Sequence, residues 1–233
     1  MTRIIITGAN GKMGHVIRSV VAGREDCTVV AGVDFNTQAA DFPIYKTIAE
    51  VQEEADVIID FSNPALLDDL LTYSAAKSMP LVIATTGYTA EQKAKIEAAA
   101  EKCPIFFTYN MSMGINLLAT LAQKAVNVLG PDFDIEIVEK HHNQKLDAPS
   151  GTALALADSI NEAMDNQYHY IYDRSQRREM RDDKEIGISA VRGGTIVGEH
   201  EVIFAGPDEV IEFKHTAYSK AVFGKGAVEA AKF

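Results

Sequence analysis

Two short runs, Val57–Phe61 and Leu81–Thr85, most constrain the fold of this chain. Each is apolar at successive positions rather than at alternate ones, so a strand built from it must be covered on both faces. That is the pattern of a parallel sheet between two layers of helix. Arg3–Thr7, Thr28–Val33 and Ile105–Thr108 are further short apolar runs. Helical patterns at His15–Ala22, Pro64–Ser78 and Ala90–Lys102 lie between them. Strands alternating with helices predict an α/β, Rossmann-like N-terminal domain over residues 1–109.

The second half reads differently. Met113–Leu129 and Ala153–Met164 are helical patterns, and Asp134–Glu139 alternates as a strand. Asn166–Lys184 carries Arg174, Arg177, Arg178, Glu179, Arg181, Asp182, Asp183 and Lys184, and is read as an exposed, solvated connection with at most a helical turn. Ile186–Arg192, Thr195–Phe204 and Glu209–Ala217 follow as strands, separated by Gly193-Gly194 and Gly206-Pro207. Lys220–Lys232 is helical again. A second α+β domain over 110–217, built on a mixed or antiparallel sheet, is the expected architecture.

Gly8-Ala9-Asn10-Gly11-Lys12-Met13-Gly14 follows the first strand and opens a helix, with G-x-x-G-x-x-G spacing. Such glycines permit a tight turn, close backbone approach to a pyrophosphate and close helix–strand packing. The helix N-terminus adds free N–H groups for phosphates. Asp34, about 20 residues on at the end of the second strand, stands where an acid meets the adenosine ribose hydroxyls. Ala84-Thr85-Thr86-Gly87 and Thr108-Tyr109-Asn110-Met111 follow two further strands, at the sheet edge where ligands of open α/β folds bind. NADPH or NADH is the cofactor this pattern predicts. Asp34 favours NADH, Lys12 can meet a 2′-phosphate, and Phe35 rather than arginine follows Asp34, so both cofactors are expected to serve.

Glu139–Ala153 reads E-K-H-H-N-Q-K-L-D-A-P-S-G-T-A. His141 and His142 are neighbours and point to opposite sides of an extended chain. Lys145 is placed to converge with His141; desolvation and like charge there would lower its pKa and suit it to donate a proton. Pro149 leads into Ser150-Gly151-Thr152 at the start of a helix. Ser150 or Thr152 can cap that helix, and the same free N–H groups can hold a carboxylate. An acidic substrate that must receive a proton is the ligand class expected. His15, His169, His200 and His215 are read as surface or core residues.

The formal net charge of −11 argues against sequence-independent nucleic-acid binding. No apolar run approaches the roughly 20 residues of a membrane helix, and no signal peptide precedes Ile4-Ile5-Ile6, so a cytoplasmic protein is expected. Cys27 and Cys103 form no metal-ligand spacing, and no metal site is expected.

The Glu139–Ala153 segment resembles the signature of the 4-hydroxy-tetrahydrodipicolinate (dihydrodipicolinate) reductase family. The likeness extends to G-A-N-G-K-M-G, Asp60-Phe61-Ser62, Ala84–Gly87, Asn110-Met111-Ser112, Arg192-Gly193-Gly194, Gly198-Glu199-His200 and Phe223–Ala227. The resemblance implies NAD(P)H-dependent reduction of a cyclic imine dicarboxylate in diaminopimelate and lysine biosynthesis. It implies His141 in the acid/base position, Lys145 as proton donor, His142 and Ser150-Gly151-Thr152 on the substrate, and cofactor contacts at Gly8–Met13, Asp34, Ala84–Thr86 and Thr108–Met111. It also implies a homotetramer and a C-terminal segment, 218–233, that returns to the first domain. Ala84, Phe35 and Lys220 depart from the residues usual there. Two alternatives are a different amino- or oxo-acid reductase, which shares the glycine turn but does not account for H-H-x-x-K with S-G-T, and a non-catalytic NAD(P) sensor; the acidic chain and the lack of a DNA-binding element argue against a repressor.

Overall fold

The computed structural model describes residues 1–38 and 40–233. In chain order, β1 (Thr2–Thr7), α1 (Lys12–Ala22), β2 (Cys27–Val33), β3 (Ile44–Tyr45), β4 (Val57–Asp60), α2 (Leu67–Lys77), β5 (Leu81–Ile83), α3 (Ala90–Ala100) and β6 (Ile105–Phe107) come first. Then follow α4 (Met113–Leu129), β7 (Asp134–His141), α5 (Gly151–Ala163), β8 (His169–Ile171), β9 (Glu185–Arg192), β10 (Gly198–Ala205), β11 (Val210–Ala217) and α6 (Ala221–Lys232). The chain forms two compact units, Met1–Ser112 with Lys220–Phe233, and Met113–Ser219.

The first unit holds a parallel sheet in the order β3-β2-β1-β4-β5-β6. Its strand order reverses between β1 and β4, which opens a crevice at their carboxyl ends. The two runs that are apolar on both faces behave as expected. Val57, Ile59 and Val82 join one core with Ile17 and Val21 of α1 and Ala227 and Val228 of α6. Ile58, Leu81 and Ile83 join the opposite core with Leu67 and Leu70 of α2 and Ile96 of α3. The helix α3 starts at a capping box, in which Thr89 Oγ1 accepts from Gln92 N and Gln92 Oε1 accepts from Thr89 N.

The glycine turn is tighter than a loop followed by a helix at His15. Instead α1 starts at Lys12, so Gly14 lies in its first turn. A Cβ on Gly14 would sit 2.2 Å from Gly8 O and 2.4 Å from Ala9 O. Gly8 has φ +75°, and a Cβ there would meet Phe61 O at 2.4 Å. These two positions exclude a side chain by contact with backbone, and the turn folds directly onto the end of β4.

The second unit has a mixed sheet, β11-β10-β7-β9-β8. The strands β10–β11 and β10–β7 pair antiparallel, whereas β7–β9 and β8–β9 pair parallel. Thus β9 and β10, adjacent in sequence, do not form a hairpin across Gly193-Gly194; β7 lies between them. Alternation along β7 buries Ile135 and Ile137, and these pack with Leu118, Ala122 and Val126 of α4 and Leu156, Ala157 and Ile160 of α5.

The expectation of a plain solvated connection at Asn166–Lys184 is corrected. Residues His169–Ile171 form β8. Arg174 Nη2 donates to Glu136 Oε1 at 2.6 Å and to Glu185 Oε2 at 3.1 Å, Arg177 pairs with Glu185, and Arg181 Nε reaches Glu136 Oε1 at 3.2 Å. Glu185 is fully buried. An ionised carboxylate at that depth needs cations against it, and three of the segment's arginines fold back onto the sheet carboxylates. Among the described residues, no helix is long and apolar enough to cross a membrane.

Candidate active site

The strand β7 carries a charge conflict that builds the site. Its inward register places Glu139 and His141 on the same face as Ile135 and Ile137, so a carboxylate enters the core side of the sheet. Four donors answer it. Arg192, paired with His141 across β7–β9, donates Nη1 to Glu139 Oε2 at 2.8 Å and Nη2 to Oε1 at 2.7 Å. Ser150 N donates to Oε1 at 2.9 Å, and His141 Nδ1 lies 2.6 Å from Oε2. Burial opposes ionisation of Glu139, but the guanidinium, His141 and the Ser150 N–H outweigh it and hold the carboxyl below its usual range.

His141 titrates the other way. Burial pushes its pKa down, Glu139 pulls it up, and the Lys145 and Arg192 cations add repulsion; the outcome is a lowered pKa. A neutral ring with Nδ1–H on a carboxylate leaves the lone pair on Nε2. A Cβ on Gly198 would lie 3.2 Å from that nitrogen, so the glycine leaves the Nε2 edge uncrowded.

The loop after β7 is pinned at several points. Gly193 N donates to His141 O at 2.9 Å, Asn143 N to Gly194 O at 3.2 Å, and Arg192 Nη2 to Asp147 O at 2.6 Å. His142 is half-buried where His141 is buried, as neighbours on an extended chain should differ. Lys145 Nζ lies 2.8 Å from Asp147 Oδ1. The expected like-charge neighbour is therefore joined by a closer counter-ion, and that ammonium holds the Asp147 carboxyl below its usual range. Ser150 is the N-cap of α5, its Oγ accepting from Ala153 N at 3.2 Å. Gly151 is exposed and Thr152 half-buried at the first turn of that helix. His141, His142, Lys145, Ser150, Gly151 and Thr152 thus fall between the end of β7 and the start of α5.

Glu139 joins the site, together with Arg192 and His200 as residues that no local sequence pattern singles out. His200 is 4% exposed, lies 3.0 Å through Nε2 from Ser150 Oγ, and stacks edge-on against His141 at 5.1 Å between centroids. One signal for Glu139 was available: a carboxylate in phase with Ile135 and Ile137 must find buried partners. Arg192 and His200 arrive through strand pairing across more than 50 residues, which no local pattern encodes.

In the first unit, the expected cofactor residues lie on turns at strand ends. Gly11 caps α1 with no side-chain hydrogen bond, leaving the first-turn N–H groups to an anion. Asp34 Oδ2 accepts from Asn10 N and Oδ1 from Asn36 N, both at 2.9 Å, which ties the end of β2 to the glycine turn. Ala9, Ala84 and Thr85 are buried, Thr86 is exposed, and Lys12 and Met13 start α1. Thr108 Oγ1 and Asn110 close a small turn, Tyr109 is half-exposed, and Met111 packs in the core. A Cβ on Gly226 would strike Met111 O, so α6 backs directly onto that turn. Phe35, beside Asp34, is 89% exposed. The backbone cradle at Gly8–Gly14 and the acid at Asp34 fit a dinucleotide. Among the described residues, no group of three or more His, Cys, Asp or Glu side chains is placed to hold a metal ion.

Comparison with known proteins shows the family and the fold. The family model described as "Dihydrodipicolinate reductase, N-terminus" matches residues 2–111, and "Dihydrodipicolinate reductase, C-terminus" matches residues 114–233. A 4-hydroxy-tetrahydrodipicolinate reductase of Caldanaerobacter subterraneus subsp. tengcongensis is 54% identical over 233 residues, covering 100% of this chain and 92% of the relative. One of Clostridium tetani is 49% identical over 234 residues, covering 100% and 91%. The solved structure of a dipicolinate-bound dihydrodipicolinate reductase from Paenisporosarcina sp. TG-14 superposes with a TM-score of 0.82 at 27% identity, over 100% of this chain and 94% of that one. A myo-inositol dehydrogenase of Corynebacterium glutamicum shares the fold alone, at a TM-score of 0.62 and 16% identity over 99% and 86% of the two chains. The chain belongs to the dihydrodipicolinate reductase family and is an NAD(P)H-dependent oxidoreductase.

Proposed function

We propose that this enzyme reduces the cyclic imine dicarboxylate of the diaminopimelate and lysine pathway to tetrahydrodipicolinate, by hydride addition followed by protonation from the His141/Lys145 site. The observation that carries this reading is the meeting of Glu139, His141, Arg192 and the Ser150 N–H at the end of β7, immediately before the α5 N-terminus. Gly8–Met13, Asp34, Ala84–Thr86 and Thr108–Met111 hold NADH or NADPH, which when bound supplies the hydride.

The remaining work belongs to the chain's own residues. One substrate carboxylate sits at Ser150, Gly151 and Thr152, where the dipole at the α5 N-terminus favours an anion. His142 binds the second. Hydride addition to the conjugated imine leaves an electron-rich enamine carbon, which needs a proton. Lys145 is the cationic acid beside it, and the ion pair with Asp147 orients its Nζ between turnovers. His141 is neutral, with its ring fixed by Glu139, so its Nε2 is free to exchange a proton at the reacting side. Residues Met1–Ser112 with Lys220–Phe233 form the cofactor unit; Met113–Ser219 bind substrate and join a cytoplasmic homotetramer. Light scattering of the purified enzyme tests that assembly.

Turnover is the direct test. NADH or NADPH absorbance should fall when the enzyme meets the freshly generated cyclic imine. Oxidation only with a different amino or oxo acid would replace the substrate assignment, and binding of the dinucleotide without any turnover would make the protein a sensor.

A further inference from the structure

His200, a buried side chain of the second unit, has no part in that mechanism. His200 Nε2 lies 3.0 Å from Ser150 Oγ, and His200 Nδ1 has no hydrogen-bond partner among the described residues. Ser150 Oγ already accepts one bond, from Ala153 N, as the cap of α5. Burial pushes the His200 imidazole down to about 3, so the ring is neutral and carries a single N–H.

The position of that proton decides what Ser150 can do. On Nδ1 it would be a buried donor with no acceptor, the rarest kind of unpaired group in folded proteins. On Nε2 it donates to Ser150 Oγ and leaves only an unfilled lone pair behind, the milder deficit. In that state both lone pairs of Ser150 Oγ are occupied, one by Ala153 N–H and one by His200 Nε2–H. The hydroxyl proton then has no role inside the cap and is free to be donated outward.

We infer that His200 is a positioning residue which, by donating Nε2–H to Ser150 Oγ, fixes the Ser150 hydroxyl as an obligate donor to a substrate carboxylate at the α5 N-terminus. This rests on the carboxylate placement proposed above. A hydroxyl that can only donate selects an anion acceptor and disfavours a ligand that presents its own donor there. The edge-on contact with His141 at 5.1 Å joins the same ring to the acid/base side of the site. Gly198 serves the His141 ring: a Cβ there would lie 3.2 Å from His141 Nε2.

The tautomer is directly measurable. Long-range ¹H–¹⁵N correlation spectra of the wild-type enzyme at neutral pH should show His200 protonated at Nε2; protonation at Nδ1 overturns the inference. Calorimetric titration with pyridine-2,6-dicarboxylate in the presence of NADH gives the second arm. His200→Phe should bind this planar dicarboxylate roughly 10- to 100-fold more weakly, the loss of one hydrogen bond to a charged group. Its KM should rise with kcat within about threefold. His200→Gln, whose amide N–H can replace Nε2–H, should recover binding to within about threefold of wild type. Equal affinity of His200→Phe and wild type, or parallel losses of kcat and melting temperature that His200→Gln does not rescue, overturns it. Ser150→Ala separates the two layers of the argument. If that variant keeps full affinity, the carboxylate placement itself falls; if it loses affinity while His200→Phe does not, only the role of His200 falls.

Discussion

The two units build their ligand sites from different material. In the first, the glycine turn at Gly8–Gly14 is a backbone device, and its constraint is steric: Gly14 has carbonyl oxygens where a Cβ would go. In the second, the corner between β7 and α5 is a side-chain device, and its constraint is electrostatic: Glu139 is buried against Arg192, His141 and a backbone N–H. Gly151 also lies in the first turn of a helix, yet a Cβ there would meet nothing within 4 Å. A helix N-terminus does not by itself demand glycine. At Gly14 it is the close approach of the turn's own backbone, at Gly8 O and Ala9 O, that does.

The sharpest way to break this contrast is chemical. Lys145→Ala should lower kcat by ~10²–10⁴, the usual worth of a positioned acid, with cofactor affinity unchanged. Retention of most kcat in steady-state assays would remove Lys145 from the reaction. Steric and non-steric glycines come next. Gly14→Ala should destabilise the first unit by more than about 3 kcal/mol and abolish NADH binding, while Gly151→Ala should stay within about 0.5 kcal/mol in stability. Comparable urea midpoints for the two variants would contradict the distinction.

Removing the buried charge at the end of β7 is the next largest effect. Glu139→Gln should cost about 3 kcal/mol, because Arg192 loses its buried counter-ion; a midpoint equal to wild type would show that the pairing is incidental. Acid should then act on the histidines before the carboxylate. His200 has a folded pKa of about 3 against an ordinary 6.5. A neutral buried imidazole stabilises fully above the unfolded value, and that stability is lost as pH falls through the interval. Between pH 6.5 and 4.5, wild type should lose up to about 1.4 kcal/mol per pH unit relative to His200→Gln; parallel curves would place His200 in contact with water. The smallest effect concerns the cofactor. Asp34 and Lys12 pull in opposite directions, so kcat/KM for NADH and NADPH should differ by less than roughly a hundredfold, about 2.7 kcal/mol. A larger ratio would sink the dual use.

Much of the first unit was legible because its strands are buried on both faces and its turns are marked by glycine. The strand β3, two residues long, left no such trace, and neither did β8, which lies inside the arginine-rich run. That run looked solvated because its partners, Glu136 and Glu185, come from other strands. The site was legible where it is continuous, from His141 to Thr152. Its supports were not. Arg192 reaches Glu139 through a parallel pair and His200 faces it through an antiparallel one, and strand order is a property of the whole sheet.

The return of α6 to the first unit has a consequence for how the molecule is made. The core shared by β1, β4 and α1 also contains Ala227 and Val228, and the turn at Met111 is backed by Gly226. On the ribosome, the first 112 residues emerge with that core incomplete until residues 220–233 follow. At ordinary elongation rates, the interval is roughly 5–20 s. The nascent first unit therefore spends that time with an apolar face uncovered, and a chaperone that shields this face would act on the growing chain before the second unit is finished.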